Sequence, residues 1–178
     1  MYAWVSVAHM FTPLGNMGIS QIPNEAALVA DMQRTLGGKD GLYFYPWVDP
    51  NDPKMMEKYD AILKNSASGL LLYHKPGASA GMSGPLVYEF VKELVEMLIA
   101  AFLVGWAGIG AYAGRAGFVT LMGIAVSIST NASYWIWYKF PCDYTLACIA
   151  ITLIGYFAGG LVIAAVLRKK DTAAPAAA

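Results

Sequence analysis

Charge is what this chain has least of. Only 13% of its 178 residues are charged against 57% hydrophobic, a balance unusual for a soluble domain. Twelve basic residues match twelve acidic ones, and no Lys/Arg cluster interleaves with aromatics, so nucleic acid is not an expected partner. Cysteine is nearly absent. Cys142 and Cys148 sit six apart on a predicted helix start, a poor geometry for a disulfide, and read as small apolar residues in a membrane. No CxxC pair occurs, and two histidines give a zinc site too few ligands. The chain also lacks a Ser-His-Asp set, a P-loop, a Rossmann fingerprint, an HExxH motif and paired catalytic acids. The Gly-rich "GASAGMSG" at Gly77–Gly84 has no lysine for a phosphate and reads as a linker. These absences point to a non-enzymatic protein that needs no cofactor, although bound lipid is expected.

What is present is hydrophobic length. Nearly all charge lies between Glu25 and Glu96, and little follows Met97 until Arg168. Three segments approach the roughly 20 apolar residues that cross a bilayer, at about 95–113, 117–138 and 144–167. The first gains its length by extending through the turn at Glu96, with a helix start near Pro85. "GRAG" at Gly114–Gly117 and "KFPCD" at Lys139–Asp143 are connectors short enough to demand antiparallel hairpins. Arg115 in one connector and Arg168, Lys169 and Lys170 after the last span fall on one side, which the positive-inside rule makes cytoplasmic. Trp135, Trp137 and Tyr138, with Phe140 and Tyr144, form an interfacial aromatic belt on the other side. The tail 168–178, "RKKDTAAPAAA", is cytoplasmic and expected to be disordered.

Residues 20–84 then lie outside the cytoplasm as a small α/β cap. Asn24, Glu25 and the Gly37-Gly38 stop mark one helix. Asn51 or Asp52 with Pro53 starts a second. "GLYFY" at Gly41 is echoed 28 residues later by "GLLLY" at Gly69, which suggests two strands in a βαβ crossover with parallel pairing. Two strands alone are marginal, so the cap is expected to lean on other elements or on a partner.

The opening run "MYAWVSVAHMF" is too short to span. Residues 1–19 read best as the outer end of a fourth, N-terminal transmembrane helix whose inner half precedes Met1. This would explain how an uncleaved cap is exported without a visible signal peptide. A short re-entrant or interfacial helix is the alternative.

"SVAHMFTPLGNMGISQIPNE", "GLYFYP" and "SGLLLYH" together resemble a group of small, uncharacterised bacterial inner-membrane proteins. In that group His-Met followed by Pro-Leu-Gly-x-Met-Gly ends a full first span. The resemblance covers residues 4 to about 105. It implies four spans and a bacterial source, and it implies no activity.

Candidate site residues are few. Glu89, Glu93 and Glu96, with Lys92 among them, share one helix face. They could hold a cation or relay protons, but a solvated face with Lys92 paired to Glu89 or Glu96 is the preferred reading. Glu96, near hydrocarbon, keeps the functional alternative open. His9 with Met10 could ligate haem or a metal, and His9 and His74 read more simply as interfacial donors. Small residues at helical spacing, namely Gly105 with Gly108, Gly123 with Ser127, and Gly155 with Gly159, suit close helix packing. No ionisable residue is expected at mid-depth. The leading expectation is an accessory or structural subunit of a larger bacterial inner-membrane complex, electron-transfer or photosynthetic chemistry included. Its partners would be other membrane subunits and the lipid bilayer. A small homo-oligomeric transporter or channel is the alternative, and a haem- or metal-binding membrane protein the third reading.

Overall fold

A computed structural model describes residues 1–77 and 81–167, and the predicted cytoplasmic tail with its basic residues lies outside them. The chain is mainly helical and divides into two units. The helical unit comprises Met1–Ile19, Gly81–Ile136 and Phe140 onward, and the cap comprises Ser20–Ala80 with Trp137–Lys139.

The helical unit begins with α1 (Tyr2–Phe11), stopped by Thr12, whose hydroxyl donates to the Ala8 carbonyl at 2.7 Å. A single 3-10 turn follows at Pro13–Asn16. The "PLGNMG" glycines have a steric reason. A Cβ on Gly15 would meet the His9 backbone at 2.7 Å, and Gly18, at φ +74°, sits where a Cβ would strike Tyr144 at 2.5 Å. Only glycine lets the chain fold back so closely.

Helix α4 (Ser83–Trp106) has Pro85 in its first turn, where the missing N–H costs nothing. It ends in a Gly108 at φ +65°, with the Ala107 N–H returning to the Leu103 carbonyl. The helix over the first predicted span therefore closes at Trp106 rather than Ala113. The "GRAG" segment is not a connector: α5 (Tyr112–Ser127) contains all of it. Arg115 is buried at 4% exposure and donates to the Ala164 and Gly110 carbonyls at 3.1 and 2.6 Å. Its guanidinium thus satisfies a carbonyl near the end of α7 (Cys142–Val166).

From Tyr112 the chain stays helical to Tyr138, through a π-helical turn at Ile128–Ala132 and then α6 (Ser133–Tyr138). Among the described residues, this segment and α7 are the two helices long and apolar enough to cross a membrane. The shorter α1 and the charge-bearing α4 do not meet that test. The core is built from Ala100, Val104, Val119, Tyr156 and Ile163. Three of the predicted small residues are contact points: a Cβ on Gly123 would lie 2.5 Å from Tyr156, one on Gly159 2.4 Å from Met97 Sδ, and one on Gly155 3.2 Å from Met1. Gly105 and Gly108 differ, because no described residue lies within 4 Å of a Cβ on either. They face open space and are not packing residues within this chain. The two cysteines are free.

The cap carries α2 (Glu25–Leu36), β1 (Gly41–Tyr45), α3 (Met55–Leu63) and β2 (Gly69–Tyr73). Gly37, at φ +62°, ends α2 as expected, its N–H bonding the Gln33 carbonyl. Asn24 precedes α2 in a left-handed conformation and makes no side-chain cap. Helix α3 starts later than its capping residues suggested, because Asp52 instead accepts the Lys54 N–H at 2.8 Å in the preceding turn. The strands are antiparallel, not parallel. The repeated Gly-x-x-x-Tyr explains it. Reversed pairing sets Gly41 opposite Tyr73 and Tyr45 opposite Gly69, so each ring lies across from a residue with no side chain. A Cβ on Gly69 would come within 2.9 Å of the Tyr45 hydroxyl. Parallel register would instead align the tyrosines with each other.

Candidate functional site

The polar residues of α4 do not form a solvated stripe. Glu93 is 2% exposed, Glu89 and Glu96 are half-buried, and all three line a chamber of about 290 Å³ within the helical unit. The charge pattern, i, i+4 and i+7, is the same that a surface helix would show. What differs is that this face of α4 looks toward α1 and α7.

Each wall has its own reason. Helix α1 contributes Val5 and His9. It is held against α7 by the Trp4 indole, which donates to the Ile151 carbonyl at 2.8 Å. Helix α7 supplies Cys148, Ile151, Thr152 and Tyr156, and its Thr152 hydroxyl folds back on the Cys148 carbonyl at 2.9 Å. The π-helical turn brings Thr130 and Asn131 to the wall. Inserting one residue into a helical turn rotates the following side chains, and such bulges recur at functional sites. Asn131 is steadied by donating to the Ser127 carbonyl at 3.1 Å, and buried Ser127 in turn donates to Gly123 at 2.7 Å.

Lys92 forms ion pairs with Glu89 at 2.8 Å and with Glu93 at 3.1 Å, and neither contact involves Glu96. Glu96 turns inward instead and accepts the Tyr156 hydroxyl at 3.3 Å. On Glu93 the accounting does not close. Its Oε1 meets Lys92, but Oε2 has no hydrogen-bond partner among the described residues. A buried carboxylate oxygen left bare is costly, more so than a neutral acceptor.

Among the lining side chains three carboxylates stand against one ammonium, beside Met1 and the His9 imidazole, with polar donors and acceptors on the remaining walls. Apolar surface from Met1, Val5, Val126 and Ile151 occupies the remainder. The arrangement can take up positive charge.

His9 is therefore near the glutamates. Its neighbour Met10, 65% exposed, lines an adjoining groove with Tyr2, Ser6, Met82 and Leu86, to which His9 and Glu89 also contribute. His74 belongs to the cap, so the two histidines do not share a unit. Among the described residues no group of three or more His, Cys, Asp or Glu side chains lies close enough to hold a metal ion. Trp135, Trp137 and Tyr138 are exposed at the end of the long helical segment. Thr130, Asn131, Thr152 and Tyr156 were not singled out as ligand-contacting residues by the sequence. The one available signal was a run of polar side chains inside two otherwise apolar helices.

No protein-family model, curated protein or solved structure matches the chain.

Proposed function

We propose that this chain is a non-enzymatic, multi-pass protein of the bacterial inner membrane that binds a cation inside its helical unit. The membrane assignment rests on two helices long enough to span and on the large apolar side chains left exposed, such as Phe102, Trp106, Leu121 and Val162. Exposed apolar helix surfaces of this kind suit lipid as the solvent. Helix α4 serves as a third span. The C-terminal basic residues place that end in the cytoplasm and the cap outside.

The cation reading rests on one observation, the buried Glu93 whose Oε2 has no partner. Depth strengthens it. Tyr156 is the fifteenth residue of α7, about 21 Å from the helix start at 1.5 Å per residue. That is well inside a hydrocarbon layer of about 30 Å. Glu96, bonded to Tyr156, is then an ionisable group at membrane depth, and such groups face cavities where they have a task. This favours the transporter or channel class over packing alone.

Thermal unfolding of the purified chain in detergent tests it, scanned against protons, sodium, potassium, magnesium and ammonium ions. At least one cation should raise the melting temperature, and Glu93→Gln should abolish the gain. A flat response to every cation would sink the reading.

A second reading, the accessory subunit of a larger membrane complex, is favoured by the cap sheet. Leu42 and Leu72 pair directly across the strands and are 68% and 66% exposed. Adjacent exposed leucines on an open two-stranded sheet suit a protein partner. Purification from native membranes in mild detergent should give fixed partners that are lost in the Leu42→Lys, Leu72→Lys double variant. Recovery of the chain alone would count against it.

A further inference from the structure

We infer that the chamber is a binding site for a primary ammonium group, carried either by a small free amine or by a lipid headgroup. This inference rests on the cation-binding reading above and narrows it to one ligand class. Five observations select that class.

The unpartnered Glu93 Oε2 needs a hydrogen-bond donor, and at 2% exposure bulk water does not provide one. A donor that is also positive offsets the charge excess of Glu89, Glu93 and Glu96 over Lys92. Quaternary ammonium ions have the charge but no N–H to give. The carboxylates are strung along a helix, with about 10 Å of axial rise between Glu89 and Glu96 at 1.5 Å per residue. They do not converge, and no three metal-ligating side chains come together among the described residues. A bare divalent ion would find too few oxygens at once. The volume, about 290 Å³, is near the lower end of small-molecule sites and far more than one ion requires. Finally, the wall opposite the glutamates is partly apolar, with Val5, Val126 and Ile151 placed to take a short hydrocarbon body.

The bound state is an –NH3⁺ group donating to Glu93 Oε2 and toward Glu96, with its alkyl carbons against those three side chains. Lys92 Nζ, 51% exposed at its own site, keeps Glu89 and Glu93 Oε1 occupied and leaves Oε2 as the open acceptor. Nothing covalent occurs.

The full chain in detergent micelles is titrated calorimetrically with n-butylammonium, tetramethylammonium, sodium and magnesium ions, and with neutral n-butanol. Saturable binding is expected for n-butylammonium alone. Glu93→Gln should weaken it by about tenfold or more, the loss of one charge-assisted hydrogen bond. Trp47→Ala in the cap should not change it. Glu96→Gln is the second variant, used if Glu93→Gln does not retain the wild-type helical signal, and it should weaken binding as well. Nanodiscs separate the two sources. If phosphatidylethanolamine discs suppress n-butylammonium binding and phosphatidylcholine discs do not, the ligand is the lipid headgroup. If neither suppresses it, a free amine is the ligand.

Unchanged affinity in the glutamate variants would overturn the inference. So would binding of tetramethylammonium or butanol as tight as that of n-butylammonium. Sodium or magnesium binding in place of the amine would also overturn it, while leaving the cation chamber standing. Absence of binding by every cation would remove both.

Discussion

The two units of this protein place their apolar and polar groups in opposite ways. In the helical unit large apolar side chains such as Phe102 and Trp106 are exposed, while Glu93 and Arg115 are buried. Small residues fill its contacts, as where Gly123 meets Tyr156. In the cap, Tyr73 is the one residue among those described that is buried, and charged side chains pair on the surface, as Arg34 does with Asp31. One unit is ordered by helix backbones that approach closely around a few buried polar groups. The other has two five-residue strands and almost no interior. The lesson is about redundancy. Loss of one contact in the helical unit leaves many others, whereas the cap depends on a single ring and its hydroxyl.

Tyr73→Ala tests that dependence most severely. The ring is 6% exposed, and its hydroxyl donates to the Gly37 carbonyl at 3.0 Å, tying β2 to the end of α2. Removing a buried aromatic side chain costs about 3–5 kcal/mol, more than so small a unit is expected to hold. Limited proteolysis should cut rapidly between residues 20 and 77 while the far-UV signal of the membrane helices persists. Protection equal to wild type would show that the cap has support other than Tyr73.

Gly123→Leu is the corresponding insult to the helical unit. Its side chain would enter space held by the Tyr156 Cβ, 2.5 Å from even a methyl group. Overpacking costs about 1–3 kcal/mol. Gly105→Leu, in open space, should stay within about 0.5 kcal/mol. Denaturant unfolding in micelles should separate the two variants, and equal stabilities would mean that the α5–α7 contact is not the tight one. Trp4→Phe comes next, with about 1 kcal/mol lost as the bond to Ile151 disappears. Its selective sign should be faster hydrogen exchange in α1.

How much of this was legible in the sequence differs between the two units. The long helices were legible because apolar length acts locally, as does the glycine stop at Gly37, whereas the stop at Gly108 was read as mid-span. The cap strands were visible as Gly-x-x-x-Tyr repeats, but their direction depends on pairing between segments 28 residues apart. The stripe Glu89, Glu93, Glu96 was equally consistent with a solvated face, because burial is decided by which helix lies opposite. Arg115 looked like a connector residue for the same reason: flanking glycines suggest a turn, and only the carbonyls of Gly110 and Ala164 make it a helical, buried donor. The π-helical turn left no local mark, since Ile128–Ala132 contains nothing that forbids an ordinary helix. Propensity and pattern see one segment at a time, and the chamber is a property of four.

The smallest expected effect lies in the cap, at Asp52. Its carboxylate is paired with the Lys58 ammonium and accepts the Lys54 N–H at 2.8 Å. Both contacts favour the charged form, the Lys58 hydrogen bond most, and they hold the carboxyl below its ordinary value of 3.8. Because the folded pKa is the lower one, the contribution is present above the unfolded value and fades as pH falls below it toward the folded value. Asp52→Asn keeps an acceptor for Lys54 and loses the charge. Its melting temperature in the cap should sit below wild type at about pH 7 and approach wild type at about pH 3. Raising the salt concentration should narrow the gap at neutral pH, since the pair is exposed to solvent. A gap unchanged by acid would mean that the charge contributes nothing and that only the turn geometry matters. The cap's surface pairs would then be as dispensable as its interior is sparse, leaving its support to Tyr73, the strand pairing and the stacked Phe44 and Tyr59 rings.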